Sequence, residues 1–290
     1  MSTIILESKD FQQKLKNQIS LAQQTGALQS IPTAYEIISN GGIDFVVRIV
    51  KNLRRKQEAQ QKEALKPNFN PFLPYETDLF VTDISDTHLC LLNKYNVIDE
   101  HLLIVTREFE EQEKLLNFAD FLGLWAILAH FDGLAFYNAG KIAGASVKHK
   151  HLQLIPLELA PGVPGIPIEG VMNNVEWKQS IGIIKAFPFS HVYTKLEYQE
   201  SKTIAELAQI SLNSYQKLLT ALNLTEGAPY NLLMRREWML IIPRSQPGYQ
   251  EIGINSLGFA GAMLVRHQEE LDFVKEYQPL NILRAVAITK

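Results

Sequence analysis

Two histidines and a glutamine stand at alternate positions in His149-Lys150-His151-Leu152-Gln153. Successive side chains of a strand point to opposite faces, so an extended segment here sets His149, His151 and Gln153 in one polar stripe, about 7 Å between neighbours. Lys150, Leu152 and Leu154 fall on the other face. Just upstream, Gly144-Ala145-Ser146-Val147 supplies small residues and one hydroxyl. A turn built from them lets backbone N–H groups approach an anion closely. An imidazole whose second nitrogen is held by an acceptor can attack a phosphoryl or nucleotidyl phosphorus directly. A neighbouring histidine and glutamine can then bind the non-bridging oxygens where charge develops. The same spacing is also a way to present two imidazoles to a metal, with no third ligand evident nearby. Solvent-facing structural histidines are the third reading. Spacing alone leaves all three open.

The elements that must position this stripe are legible as apolar runs. Strands are expected at 44–50, 79–82, 88–92, 102–105, 133–138, 149–155, 230–234 and 238–242, those from 79 to 105 forming an antiparallel meander. Helical spacing of Leu116, Phe118, Phe121 and Leu122 predicts a helix over 115–130, and further helices are expected across 203–222 and near 261–274. The charged stretch Lys51–Lys66 reads as a solvated helix face, or as the source of a base that bends toward a phosphate. Pro67–Pro74 is a proline-punctuated connector, and the Pro- and Gly-dense 160–170 is a loop. Strands and helices mix without a strict βαβ rhythm, which predicts an α+β fold.

Composition narrows the function. With 28 Lys+Arg against 31 Asp+Glu, the net charge of -3 argues against general nucleic-acid binding but permits a locally basic pocket. The single cysteine, Cys90, lies in an apolar run and reads as a small buried hydrophobe. The first ten residues lack the pattern of a secretory signal, and no apolar stretch approaches the roughly 20 residues that cross a bilayer. A cytoplasmic protein that spans no membrane is the expectation.

The run Gly144-Ala145-Ser146-Val147-Lys148-His149-Lys150-His151-Leu152-Gln153 resembles the active-site motif of the diadenosine tetraphosphate phosphorylases, or ATP adenylyltransferases, of the histidine-triad superfamily. Asn70-Pro71-Phe72, Leu92–Val97, Glu100–Arg107, Tyr230–Met234 and Trp238-Met239 through Pro243-Arg244 are similar to further family segments in family order, covering residues 30 to 290. The resemblance implies an α+β, histidine-triad-type antiparallel sheet elaborated with helices. It implies one adenylyltransferase chain, with a motif-bearing part over 1–160 and a part over 161–290 that completes the substrate site. It makes His151 the nucleophile that takes up AMP, His149 its support, and Gln153 the transferase-like replacement of a third histidine. It also implies substrate contacts from a base near Lys56, from Asn93, Lys94 and Asn138, from the turn Gly144, Ala145, Ser146 and Val147, and from Asn231, Met234, Met239 and Arg244. Trp238 is read as core.

Where relatives that handle sugar phosphates carry proline between the histidines, this chain has Lys150, which argues against such a substrate. The implied reaction is reversible phosphorolysis: diadenosine tetraphosphate and phosphate give ATP and ADP through an adenylyl-histidine. Adenylyl transfer from adenylyl sulfate is the implied side reaction. The implied partners are these nucleotides and phosphate alone, acting on a monomer. A divalent cation such as magnesium would accompany the polyphosphate, with no tightly bound cofactor and no protein-caged metal. The rival readings are a dinucleoside polyphosphate hydrolase, a metal-dependent strand-barrel enzyme with His149 and His151 as ligands, and a nucleotide sensor without turnover.

Overall fold

The computed structural model describes residues 3–6, 11–50 and 69–289. The charged stretch Lys51–Lys66, and with it Lys56, lies outside the described residues. An α+β architecture is observed, as expected. The chain opens with helix α1 (Phe11–Thr25) and a hairpin of β1 (Thr33–Asn40) and β2 (Ile43–Val50). The meander follows as β3 (Phe80–Asp83), β4 (His88–Leu92) and β5 (Leu102–Thr106), then helix α2 (Phe118–Leu128), β6 (Gly133–Asn138) and β7 (His151–Pro156). Next come β8 (Val175–Lys178), β9 (Ile181–Ile184), β10 (Val192–Lys195), helix α3 (Ile204–Ala221), β11 (Tyr230–Met234) and β12 (Trp238–Pro243). A short hairpin, β13 (Gly248–Tyr249) and β14 (Ile252–Gly253), leads to α4 (Ser256–Ala260), β15 (Ala262–Val265), α5 (Gln268–Tyr277) and α6 (Pro279–Val286).

Ten of these strands form one antiparallel sheet in the order β3-β4-β5-β7-β6-β11-β12-β10-β9-β8. The two halves of the chain meet at its centre, where β6 pairs with β11 and Asn138 stands opposite Asn231. Alternation divides the strand residues between two cores. Leu152, Leu154, Ala135, Tyr137, Leu232 and Met234 face α1, α2 and α3. Ile155, Phe136, Leu134 and Leu233 face the other way, toward the three-stranded sheet β1-β2-β15 and helices α5 and α6. Helix α2 is apolar on every side because it packs between the sheet and α3. It starts where the sequence can cap it: Asn117 and Asp120 form a reciprocal capping box.

Two expectations are corrected. The apolar run at 262–265 is a strand, not the start of a helix, and it pairs in parallel with β2. The helix expected near 261–274 begins at Gln268 instead, because Gly261 at φ +98 closes α4 and turns the chain into β15. Likewise β7 starts at His151, two residues later than expected, and His149 pairs with Glu111 in an isolated bridge. Cys90 is buried in the helix-side core, which pushes its thiol pKa up and leaves it unreactive.

Candidate active site

His151 sits on the sheet face away from the three helices, opposite Val105 of β5, with Gln153 opposite Leu103. Its Nδ1 lies 2.8 Å from the carbonyl oxygen of His149. A carbonyl only accepts, so Nδ1 carries the proton and Nε2 keeps its lone pair. Among the described residues Nε2 meets no hydrogen-bond partner. Burial pushes the His151 pKa down to about 4, opposed by that carbonyl bond, so the ring is neutral at neutral pH.

His149 is fixed by neighbours on both sides. Nε2 donates to the Thr106 carbonyl at 2.8 Å, so Nδ1 accepts from the Asn70 amide at 2.9 Å. Phe72 sets its ring edge-on against both imidazoles, with centroids 5.5 and 5.3 Å away. With both nitrogens engaged, His149 has no lone pair to share with a metal alongside His151. Its contribution is the carbonyl that orients the neighbouring ring.

Gln153 is oriented by a chain of bonds that starts at a backbone amide. The N–H of Tyr95 donates to Asn93 Oδ1, at 3.3 Å, so the Asn93 Nδ2 is the group that donates to His101 Nδ1. His101 therefore carries its proton on Nε2, which donates to Gln153 Oε1 at 2.9 Å. The amide N–H2 of Gln153 is left facing the site. Burial pushes the His101 pKa down to about 4, which keeps this relay neutral. Asn93 thus sets the tautomer of His101. Lys94 pairs with Glu76 at 2.8 Å.

On the neighbouring strands, Asn138 accepts from Asn231 Nδ2 and from both the N–H and the hydroxyl of Ser256, all through Oδ1 at 2.7–2.9 Å. Its own N–H2 has no partner among the described residues. The turn 144–147 closes the site. Gly144 has φ +94, and a Cβ there would meet the Ile254 carbonyl oxygen at 2.7 Å, so glycine is required. The N–H groups of Ser146, Val147 and Lys148 meet no acceptor among the described residues, as an anion-binding turn requires.

Three expected contacts are corrected. Met234 and Met239 are fully buried in the helix-side core, opposite His151, because alternation turns their side chains away from the site. Arg244 is buried beneath the turn, and its guanidinium donates to Asn231 Oδ1 and to the carbonyls of Ala143, Val286, Gln246 and Ile254. It therefore braces the loop and does not reach a ligand. Sequence reasoning passed over Asn70, Thr106, His101, Gln112 and Ser256 as site residues. Asn70, His101 and Thr106 do lie inside the segments that carry the family resemblance, which is the signal that could have found them.

In chemical terms the site holds one neutral imidazole nitrogen with its lone pair free, two amides whose N–H2 groups meet no partner among the described residues, and a run of backbone donors without an acceptor there. That is equipment for an anionic phosphoryl group. Among the described residues no group of three His, Cys, Asp or Glu side chains converges to hold a metal, and no helix is long and apolar enough to cross a membrane.

Residues 1–174 match the model of the Ap4A phosphorylase N-terminal domain, and 185–289 that of the ATP adenylyltransferase C-terminal domain. The chain is 28% identical over 253 residues to diadenosine 5',5'''-P1,P4-tetraphosphate phosphorylase 2 of Saccharomyces cerevisiae, covering 73% of this chain and 76% of that one. It is 31% identical over 209 residues to protein APA1 of the same yeast, 64% of each. Its fold superposes on the crystal structure of yeast Ap4A phosphorylase Apa2 in complex with Ap4A with a TM-score of 0.81 at 23% identity, covering 99% of both chains. With both of its halves matched in order, the chain belongs to the Ap4A phosphorylase family of adenylyltransferases.

Proposed function

We propose that this enzyme catalyses the reversible phosphorolysis of diadenosine tetraphosphate (Ap4A) to ATP and ADP, with His151 as the nucleophile. The observation that carries the reading is the bare, neutral Nε2 of His151, held in that state by the His149 carbonyl. Nε2 attacks the α-phosphorus of one adenosine, the bond to the bridging oxygen of the β-phosphate breaks, and ATP leaves with the electron pair. The adenylylated ring is then a cation whose Nδ1–H points at that same carbonyl, so positive charge develops beside an acceptor. An oxygen of inorganic phosphate attacks the adenylyl phosphorus, the P–Nε2 bond breaks, and ADP departs. No proton need move on His151 in either half, and the covalent intermediate turns one difficult displacement into two easier ones. The amides of Gln153 and Asn138 and the free N–H groups of Ser146 and Val147 supply donors to the non-bridging oxygens.

A divalent cation such as magnesium arrives with the polyphosphate as part of the substrate, and the chain's own residues carry each bond-making step. In this reading the enzyme acts as a monomer. The cytoplasm, where ATP and ADP are at hand, is the compartment this reading assigns.

The test is intact-protein mass after mixing with Ap4A. One adenylyl group should appear, map to His151, and be discharged by phosphate as ADP. Turnover that proceeds equally well without phosphate would make the protein a hydrolase and overturn the reading.

The pH dependence of adenylylation follows from burial. A histidine of ordinary pKa, about 6.5, would lose its lone pair below that pH. Here the folded pKa is depressed to about 4, so the acid limb of the single-turnover rate should lie well below 6.5. An acid limb near 6.5 instead would mean that the ring is solvated and would overturn this expectation. Stability follows the opposite rule: the unfolded histidine binds a proton first, so acidification from about 6.5 downward weakens the fold.

A further inference from the structure

At the catalytic residue the sheet is interrupted. Strands β6 and β7 pair from Gly133↔Pro156 to Phe136↔Gln153. The same register carried two residues further would set Asn138 opposite His151, yet that pairing does not form. The side chain of Gln112 stands between them instead. Its Oε1 accepts the His151 N–H at 2.8 Å, and its Nε2 donates to the carbonyls of His151 at 3.1 Å and Asn138 at 3.0 Å. These partners allow one amide orientation, since an N–H must meet oxygen and two carbonyls must meet N–H2. Gln112 is itself held: its N–H donates to the Lys148 carbonyl at 2.7 Å, and its carbonyl accepts from Tyr137 at 2.5 Å. It is 2% exposed.

We infer that Gln112 is a positioning residue for the nucleophile, a side-chain amide that replaces the missing ladder partner of His151. Paired strands lie about 4.8 Å apart, and an amide bonded to both sides forces a wider gap. The gap opens between the two side chains the proposed reaction needs on either side of a phosphoryl group, His151 and Asn138. At the same time both backbone groups of His151 stay bonded, so the ring keeps the register that aims Nδ1 at the His149 carbonyl. A direct ladder would satisfy the backbone equally but would close the gap. The inference rests on the reading of His151 as the nucleophile only for its kinetic consequence; the geometric claim concerns the tautomer and the strand spacing.

Two variants test it. Gln112→Met keeps the volume and removes all three bonds. Its single-turnover adenylylation by Ap4A should fall by about 100-fold, the cost of a misplaced reacting group, while its dissociation constant for AMP stays within about threefold. In long-range nitrogen–proton NMR spectra of the ligand-free protein, wild-type His151 should show one Nδ1–H tautomer and Gln112→Met a mixture. Gln112→Glu separates positioning from folding. Protonated, its carboxyl accepts from the His151 N–H and donates to a carbonyl; ionised, it faces two carbonyl oxygens. Burial raises a carboxyl pKa, so the rate of this variant relative to wild type should climb as pH is lowered from about 8 to about 5.5.

The inference is overturned if Gln112→Met adenylylates within about threefold of wild type, if its rate and AMP affinity fall in the same proportion, or if the Gln112→Glu ratio is flat with pH. Should the wild type form no adduct, the phosphorolysis reading falls by itself. The tautomer spectra then decide Gln112: a mixture in Gln112→Met supports it and an unchanged single tautomer sinks it.

Discussion

Turnover of Ap4A by the His151→Ala variant is expected to fall by about 10⁴-fold or more, with no adenylyl adduct on the protein. The size follows from the mechanism. Removing the nucleophile abolishes both half-reactions, and what remains is binding and the donors of Gln153, Asn138 and the turn. Residual catalysis of that kind is familiar where one member of a reacting set is deleted. The fold should survive, because the imidazole is bonded to its neighbour's carbonyl and bears no charge that another group must balance. Steady-state assay of ATP release, with near-ultraviolet circular dichroism as the control for folding, checks both statements. A variant that is folded and retains more than about a hundredth of wild-type turnover would show that His151 is not the group attacking phosphorus.

The Asp120→Ala variant is expected to lose about 3–5 kcal/mol of stability at neutral pH. Lys150, the residue between the two histidines, points into the helix-side core with its side chain fully buried. Its Nζ lies 2.6 Å from Asp120 Oδ2 and 3.1 Å from the Leu115 carbonyl, with Glu110 at 3.5 Å. Asp120 in turn accepts from His88 at 3.1 Å and from the Asn117 N–H at 2.7 Å, as the third residue of the α2 capping box. Deleting the carboxylate strands a buried ammonium, orphans a cap and frees a histidine, so the effect exceeds that of a surface pair. Removing both charges is different: Asp120→Ala combined with Lys150→Met should recover much of the loss, since no uncompensated charge remains. Urea unfolding of the two single variants and the double reads this directly, and a double variant less stable than Asp120→Ala would refute it.

The sign of the pH effect is also determined for this pair. Burial would raise the Asp120 pKa, but the His88 hydrogen bond and the Lys150 charge outweigh it and hold the carboxyl below its usual value. The stabilisation is therefore complete above the unfolded pKa of about 3.9 and is lost only as pH falls through the lower folded value.

This buried pair also gives Lys150 a meaning that the sequence left open. The departure from proline between the histidines was legible as a difference in substrate class, yet the side chain points away from any ligand. It ties the strand that bears the nucleophile to α2, on the opposite face from the chemistry.

What the sequence determined by itself is what periodicity and local bonding encode. The apolar runs placed β4, β6 and β11 to the residue, and α2 and α3 to within a few residues at either end. Period-two alternation placed His151 and Gln153 on one face and Lys150, Leu152 and Leu154 on the other, before any partner was known. The small residues of 144–147 marked the turn, because only glycine tolerates a positive φ beneath a neighbouring carbonyl.

Tertiary structure decided the rest. The run Ala262–Val265 carries no alternation that tells a strand from a buried helix, and its pairing with β2 lies over 200 residues away in the chain. Met234 and Met239 have the right neighbours in sequence but face the wrong core. The residues that give His151 and Gln153 their chemistry, Gln112 and His101, are 39 and 52 positions distant. A hydrogen-bond partner at that separation is set by strand register and by how loops cross the sheet. Neither leaves a mark in local composition, so the nucleophile could be named from its own segment while the groups that orient it could not.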